Sequence, residues 1–381
     1  MGNLYHHKKL KILYFSKVDW FWTKQRPQQL AEQLAIDNKV DFLAIRSWRY
    51  NANVLIPRDN QDTNKKFIKV NDNLNVYRKR VIPKAKKLGL IKVNNFYIKS
   101  YLYRLYKMNN YDVIVCTAPN QIHYLDERIN CPIVYDCMDN ERAMENDTKQ
   151  VYSDEKLLVH RCNWIISSSE LLKMQLKKLY SIEKKISVVN NGVDFEFFNK
   201  FRKYNYKNNI TPIIGYVGSV DSWFDFEAVN YIAKKCSDYR FEIYGPINKQ
   251  VKSRIKLSPP NVYYYGSLNY LLVPQVIDSF NIAIMPFKNN EIVKTVNPVK
   301  LYEYLALGKN IIANYSEENL KFSKYIEFYT DKQSLYKKIV ELSNAVSSQD
   351  IVNTKIIFAQ NNSWKKRANL FLDIIMRSVI H

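Results

Sequence analysis

The stretch Asn297-Pro298-Val299-Lys300-Leu-Tyr-Glu303-Tyr-Leu-Ala-Leu-Gly308 sets an ammonium and a carboxylate three residues apart behind an Asn-Pro pair. Asn suits the position before a helix and Pro its first position, so a helix is expected to start at Asn297 and Pro298 and stop near Gly308. The free amides at such a start, Val299 included, favour an anion such as a diphosphate. Lys300 would stand beside that anion, and Glu303, on the same face, would accept two hydroxyl donors such as those of a ribose. The competing reading is an ordinary surface ion pair. Position directly after the strand and loop Ile282 to Val296 favours the site.

Other candidate residues follow apolar runs in the same way. Gly215 and Gly218, in Ile214-Gly-Tyr-Val-Gly-Ser219, allow close backbone approach to phosphate, although glycine serves any tight turn equally well. Tyr244-Gly245-Pro and Tyr265-Gly266-Ser-Leu268 would offer backbone to a base edge and an apolar side chain to its ring. Nearer the N-terminus, Trp20, Trp22 and Arg26 suit sugar stacking and anion contact, with anchoring of a loop in the core as the alternative for the tryptophans. Asp139, after Ile133 to Cys137, is the candidate to work at an acceptor hydroxyl, against a plain helix cap. No Asp-x-Asp triplet occurs, which points to a metal-independent site where helix dipole and Lys300 neutralise a leaving group.

These residues need scaffolds that present the ends of strands. Short β-branched or aromatic runs alternate with amphipathic segments at 11–16, 40–45, 112–117, 133–137, 164–168 and 186–189. A second series runs through 213–217, 240–244, 262–265, 282–287 and 310–314. Such alternation predicts an α/β chain with parallel sheets covered on both faces, as two Rossmann-like domains. The expected division is 1–205, 206–362 and a last helix, 363–381, returning to the first domain. Ligands of open parallel sheets bind beyond the strands' carboxyl ends, so the site is expected in a cleft that the two domains face across.

Composition narrows the class. The 381 residues, 46% hydrophobic, are ample for two cores, and five cysteines without a CxxC pair read as buried, reduced thiols rather than disulfides or a zinc site. No run of about 18 apolar residues occurs and the first eleven residues carry no apolar signal core, so a cytoplasmic protein is expected. The formal charge is +22, and residues 58–107 hold fourteen basic against three acidic residues, interleaved with Leu88, Leu90, Ile91, Phe96 and several tyrosines. That mixture suits an anionic membrane surface at the inner face of the membrane; a solvated basic face is the bland alternative. Nucleic acid is disfavoured, because no base-reading element accompanies the charge.

With these segments in view, the chain resembles the GT-B glycosyltransferases of the family 1 and family 4 type, over almost its whole length. The landmarks are Trp20, Arg26-Pro-Gln-Gln-Leu-Ala, Val188-Val-Asn-Asn-Gly-Val-Asp194, Ile214-Gly-Tyr-Val-Gly218, Tyr265-Gly266 and Asn297-Pro-Val-Lys-Leu-Tyr-Glu-Tyr-Leu-Ala306. The opening is most similar to the branch of teichuronic acid and other surface-polysaccharide enzymes. The resemblance implies transfer of a sugar from a nucleotide donor, expected to be UDP-linked, to a hydroxyl of a glycan or lipid-linked acceptor, with retention and without a cofactor. It also implies Glu303 as the ribose-binding glutamate. The chain departs from the family pattern in having Thr295 eight residues before Glu303, with Glu291 the nearest carboxylate, and Ser219 and Asp225 where basic residues are expected. The family histidine has no counterpart in the segment Tyr135 to Asn140. These departures keep open a second reading, a non-catalytic scaffold of the same fold that binds lipid or a partner.

Overall fold

In the computed structural model the described residues are 9–47, 64–85, 87–144, 147–182, 185–202, 211–345 and 348–380. Contacts divide the chain into one unit of 1–190 with 367–381 and another of 191–366. The division falls at 190/191 rather than 205/206 because Phe195 and Phe198 are buried in the second unit's core and Val193 bridges to Ser363. The expected hinge between Lys200 and Thr211 lies largely outside the described residues.

The first unit contains β1 (Lys11–Ser16), α1 (Arg26–Leu34), β2 (Lys39–Ser47), β3 (Phe67–Lys69), β4 (Leu74–Val81), α2 (Ile91–Asn109) and β5 (Val113–Cys116). It continues with β6 (Ile133–Cys137), α3 (Glu141–Met144), α4 (Thr148–Arg161), β7 (Trp164–Ser167), α5 (Glu170–Tyr180) and β8 (Ile186–Val188). Its sheet runs β3-β4-β2-β1-β5-β6-β7-β8, parallel except for β3. The central strands β1, β5 and β6 are almost wholly apolar and buried, as parallel strands covered on both faces must be.

The second unit contains α6 (Phe195–Asn199), β9 (Ile213–Val217), α7 (Phe226–Lys235), β10 (Arg240–Tyr244), α8 (Lys252–Ile255), β11 (Val262–Gly266), α9 (Val273–Ser279) and β12 (Ile282–Met285). It continues through α10 (Glu291–Lys294), α11 (Val299–Ala306), β13 (Asn310–Asn314), β14 (Glu327–Tyr329), α12 (Lys332–Asn344) and α13 (Gln349–Asn361). The last helix, α14 (Trp364–Ile380), counts with the first unit from Arg367 onward; its Phe371 ring lies 6.4 Å from Tyr14. The second sheet is fully parallel in the order β11-β10-β9-β12-β13-β14, a doubly wound Rossmann order. Strand order therefore reverses direction between β1 and β5 in one unit and between β9 and β12 in the other.

Several segments differ from the sequence expectation. β3 and β4 lie inside the basic stretch 58–107, part of which is outside the described residues. Arg78 of that stretch is buried on β4, where its guanidinium binds Asp19 through Nε (3.0 and 3.1 Å) and Nη2 (2.9 Å) and lies over the Phe21 ring. It is a core residue and presents no charge to a membrane. Helix α2 buries Ile98, Leu102 and Leu105, one stripe at helical spacing, while its first two turns bury no side chain. The five cysteines are free thiols; Cys131 alone among them is half-buried rather than buried.

Candidate functional site

Strands β9 and β12 are paired at Ile214 with Ile282 and Gly215 with Ala283. Past that point the Val217 N–H donates to the Tyr304 hydroxyl of α11 (2.9 Å), so this helix packs at the carboxyl end of β9, where the strand order reverses. Helix α11 runs from Val299 with Pro298 before it and no side-chain cap, which leaves its first amides unpaired by any side chain. Asn297 is not that cap. Its Oδ1 accepts the Asn191 N–H (2.8 Å) and the Tyr302 hydroxyl (3.2 Å), and its carbonyl accepts Asn191 Nδ2 (2.6 Å). The Asn297 Nδ2 donor is left buried with no partner among the described residues.

Lys300 and Glu303 are a pair at 2.8 Å, but not a surface pair: the Glu303 side chain is 2% exposed. Lys300 is its hydrogen-bond partner, and the other carboxylate oxygen has none among the described residues. Burial pushes the Glu303 carboxyl up; Lys300 opposes the rise and Asp194 adds to it. Asn191 and Asp194, quoted above only as landmarks, are thereby part of the surroundings of α11. The nearest alternative acid, Glu291, is exposed and bound to Lys294, and Thr295 is buried.

The glycines separate into two roles. Gly215 lies within β9 and its missing Cβ makes room for the Phe280 ring, so it packs the sheet rather than approaching a ligand. Gly218, Gly245 and Gly266 end β9, β10 and β11 side by side: Gly218 N–H donates to the Tyr244 carbonyl (2.8 Å) and Gly245 N–H to the Gly266 carbonyl (2.6 Å). Gly245 has φ +141° and a Cβ there would overlap the Gly218 carbonyl, so only glycine fits. Ser219 accepts the Tyr216 hydroxyl on its carbonyl, Asp225 caps α7, Tyr244 stacks on Tyr265 at 4.5 Å, and Leu268 packs against the core beside Tyr244.

In the first unit the expected acceptor residues are not gathered as foreseen. Arg26 is buried, holding Asp136 through Nε (3.0 Å to each oxygen) and Nη2 (2.7 Å) and the Val189 carbonyl through Nη1 (2.8 Å). Trp20 is a core anchor set edge-on to Phe42, and Trp22 is half-buried. Asp139 does stand just past β6, partly buried. No side-chain hydrogen bond reaches its carboxylate among the described residues, and burial, reinforced by Glu141, pushes it up to about 6 against the pull of Lys17 and Arg26.

A raised carboxyl weakens the native state when ionised, so Asp139 should subtract stability as pH rises from about 4 through 6. Asp139→Asn is therefore expected to be more stable than the parent at pH 7.5, by up to about 3 kcal/mol, because each tenfold weakening of an acid on folding is worth about 1.4 kcal/mol. The gain should vanish at pH 4. Urea unfolding at the two pH values measures it, and an equal effect at both would contradict the strained acid.

Sequence reading missed a pocket of about 450 Å³ at the carboxyl ends of β1, β5 and β6, where this sheet's order reverses. Lys17 lines it, with its N–H bound to Thr117 Oγ1 (2.7 Å) and its ammonium paired with Glu141. His123 comes from the 3-10 turn Pro119–Tyr124 and faces Asp154 of α4 (Nε2 to Oδ1, 2.8 Å), which also accepts Gln150 Nε2 (2.7 Å). Ile91 and Asn95 of α2 complete the wall. No spacing rule joins these residues, since separate connections bring them together.

No protein-family model matches the chain. It is 27% identical over 216 residues to TuaH of Bacillus subtilis (strain 168), named as a teichuronic acid biosynthesis glycosyltransferase; the match spans 52% of this chain and 54% of that protein. The chain thus aligns with about half the length of this relative. Among solved structures, sucrose-phosphate synthase of Thermosynechococcus elongatus superposes with a TM-score of 0.78 at 13% identity, covering 97% of this chain and 99% of that one. HepE of Anabaena, solved with UDP and glucose, gives 0.68 at 12% identity over 96% and 99%. The E. coli trehalose-6-phosphate protein bound to UDP-2-fluoro glucose gives 0.71 at 9% over 96% and 98%. With two doubly wound units in series, the chain has the GT-B fold of the glycosyltransferases.

Proposed function

We propose that the protein is a metal-independent glycosyltransferase that moves a sugar from a UDP-linked donor to a hydroxyl of a lipid-linked or polymeric surface glycan, with retention of configuration. The observation that carries the reading is Glu303: a carboxylate taken out of water with one hydrogen-bond partner and one oxygen left over, behind an uncapped helix start at the carboxyl end of β9. A surface ion pair has no need of that burial; a site for ribose hydroxyls does. The amides of Val299 and Lys300, the Lys300 ammonium and the buried Asn297 Nδ2 would hold the departing diphosphate. The backbone at Gly218 and Ser219 would admit the phosphates, and that at Gly245 and Gly266, with Leu268, would meet the base. Asp139 would serve the acceptor hydroxyl from the first unit.

A thermal-shift screen against nucleotides and nucleotide sugars tests this reading. A donor at 100 times its Kd stabilises by about 2.7 kcal/mol, which is a visible rise in Tm. Absence of a shift with every nucleotide would leave the non-catalytic scaffold, the reading that Thr295 in the place of a glutamate favours.

The acceptor end is taken to lie at an anionic membrane. Among the described residues no helix is long and apolar enough to cross one. The approach to α2 and its first turns expose Leu88, Leu90, Ile91, Val93 and Phe96, the last 75% exposed, alongside the exposed Lys84, Lys87 and Lys92. Apolar side chains inserting among lipids with lysines at headgroup level fit that surface. Phe96→Asp is expected to weaken binding to phosphatidylglycerol-containing vesicles at least about tenfold, the loss of one buried aromatic, with Tm unchanged. Co-sedimentation of the variant at the parent's level would contradict it.

A further inference from the structure

The pocket of the first unit has a chemistry opposite to the protein around it. The chain is formally +22, yet three carboxylates, Glu141, Asp147 and Asp154, line the pocket against one ammonium, Lys17, which Glu141 already holds. His123 is engaged with Asp154, and the remaining polar lining, Asn95, Asn120 and Gln150, is neutral. Carboxylate oxygens accept hydrogen bonds and donate none, so the lining suits a ligand rich in hydroxyl donors. A ligand carrying a carboxylate or phosphate would instead be brought close to like charges, with Lys17 the one ammonium among the lining residues to offset them, and such juxtaposition is strongly unfavourable away from bulk water. The volume of about 450 Å³ is in the range of small-molecule sites, and the Tyr124 ring supplies an apolar wall of the kind sugars stack on.

Placement supports a ligand rather than a packing gap. The pocket opens beyond β1, β5 and β6 at the reversal of strand order, where open parallel sheets bind their ligands. We propose that this pocket seats the terminal sugar of an uncharged acceptor glycan and rejects ends that bear a uronate or a phosphate. The inference rests on the transferase reading and narrows it: the positive charge of the protein serves the donor diphosphate and the lipid, while acceptor selection works by negative charge. Sugar hydroxyls donate to Asp154 and to the Glu141 oxygen not held by Lys17, and Ile91 joins the pocket to the exposed apolar start of α2.

The test uses the whole chain and three probes, methyl glucoside, methyl N-acetylglucosaminide and methyl glucuronide, titrated with and without UDP and followed by NMR line broadening. The neutral glycosides are expected to bind at least about tenfold more tightly than the glucuronide, a factor that one like-charge contact supplies easily. Asp154→Asn should narrow that ratio. Asn120→Lys, at an exposed position on the rim where folding is not at stake, should narrow or invert it. Equal or tighter binding of the glucuronide, or a ratio indifferent to both substitutions, overturns the proposal. UDP binding with no glycoside selectivity defeats the pocket assignment alone. Selectivity without UDP binding upholds the pocket and defeats the donor site.

Discussion

Glu303→Gln is expected to lose donor affinity by about 100-fold while the protein folds as stably as before or more so. Each ribose hydroxyl would give a charge-assisted hydrogen bond to the carboxylate, worth about 1.5–3 kcal/mol. An amide can accept on one atom only and has no charge, so roughly 3 kcal/mol, or about two decades in Kd, should go. The stability arm has the opposite sign. Burial raises the folded-state pKa of Glu303 above its ordinary value, so the ionised acid costs the native state as pH rises through the range between the two. Glutamine removes that cost, and Lys300, whose side chain is 19% exposed, can return to water. Isothermal titration with UDP and a thermal melt at pH 7.5 give the two readings. A stability–function trade-off of this shape is what a ligand site shows. Unchanged nucleotide affinity with a lowered Tm would instead mark the pair as part of the scaffold, and the donor site would have to be sought elsewhere.

How far these features could be read from sequence depends on whether the signal was local. β1, β6, β9, β10 and β13 are apolar runs bounded by turn residues, and their observed limits coincide with the expected ones. β4 was missed because its inward positions are Leu74, Val76 and Arg78. A buried arginine breaks the alternating pattern, and only Asp19, 59 residues away, explains why it is there. Of the three-residue strands, β8 (Ile-Ser-Val) continues into Val189 and was legible, whereas Lys69 and Glu327 put a charge at one end of β3 and β14 and leave no apolar run to read. At the candidate donor site the order Asn-Pro then Lys-x-x-Glu disclosed the helix and the pair. Asn297 was misread as a cap because the Asn191 backbone that takes its Oδ1 lies 106 residues away in sequence. The pocket of the first unit was invisible for the same reason: His123 and Asp154 are ordinary residues until a 3-10 turn and a helix bring them within 2.8 Å.

The second large effect concerns Arg26, which sequence spacing offers as a ligand contact and the fold employs as an internal tie. Its guanidinium is engaged by Asp136 and the Val189 carbonyl, joining the first turn of α1 to β6 and to the residue after β8, while the Tyr14 hydroxyl also donates to Asp136 Oδ2 (2.8 Å). Arg26→Met would strand a fully buried carboxylate with one hydroxyl for company, and breaking a buried pair from one side costs about 3–5 kcal/mol. At roughly 2–4 °C per kcal/mol for a domain of this size, Tm should fall by about 10 °C. The double variant Arg26→Met with Asp136→Leu removes both charges and should recover most of the loss, since apolar replacement of a whole buried pair is often neutral. An acceptor-binding arginine predicts the reverse pattern: stability untouched, KM for acceptor raised, and no rescue by Asp136→Leu. The distinction reaches the chemistry, because Asp139 lies three residues beyond Asp136 on the same strand exit. With Asp136 paired to Arg26, the partly buried Asp139 is left as the acid there without a hydrogen-bond partner of its own among the described residues, which is what the proposed role at an acceptor hydroxyl would require.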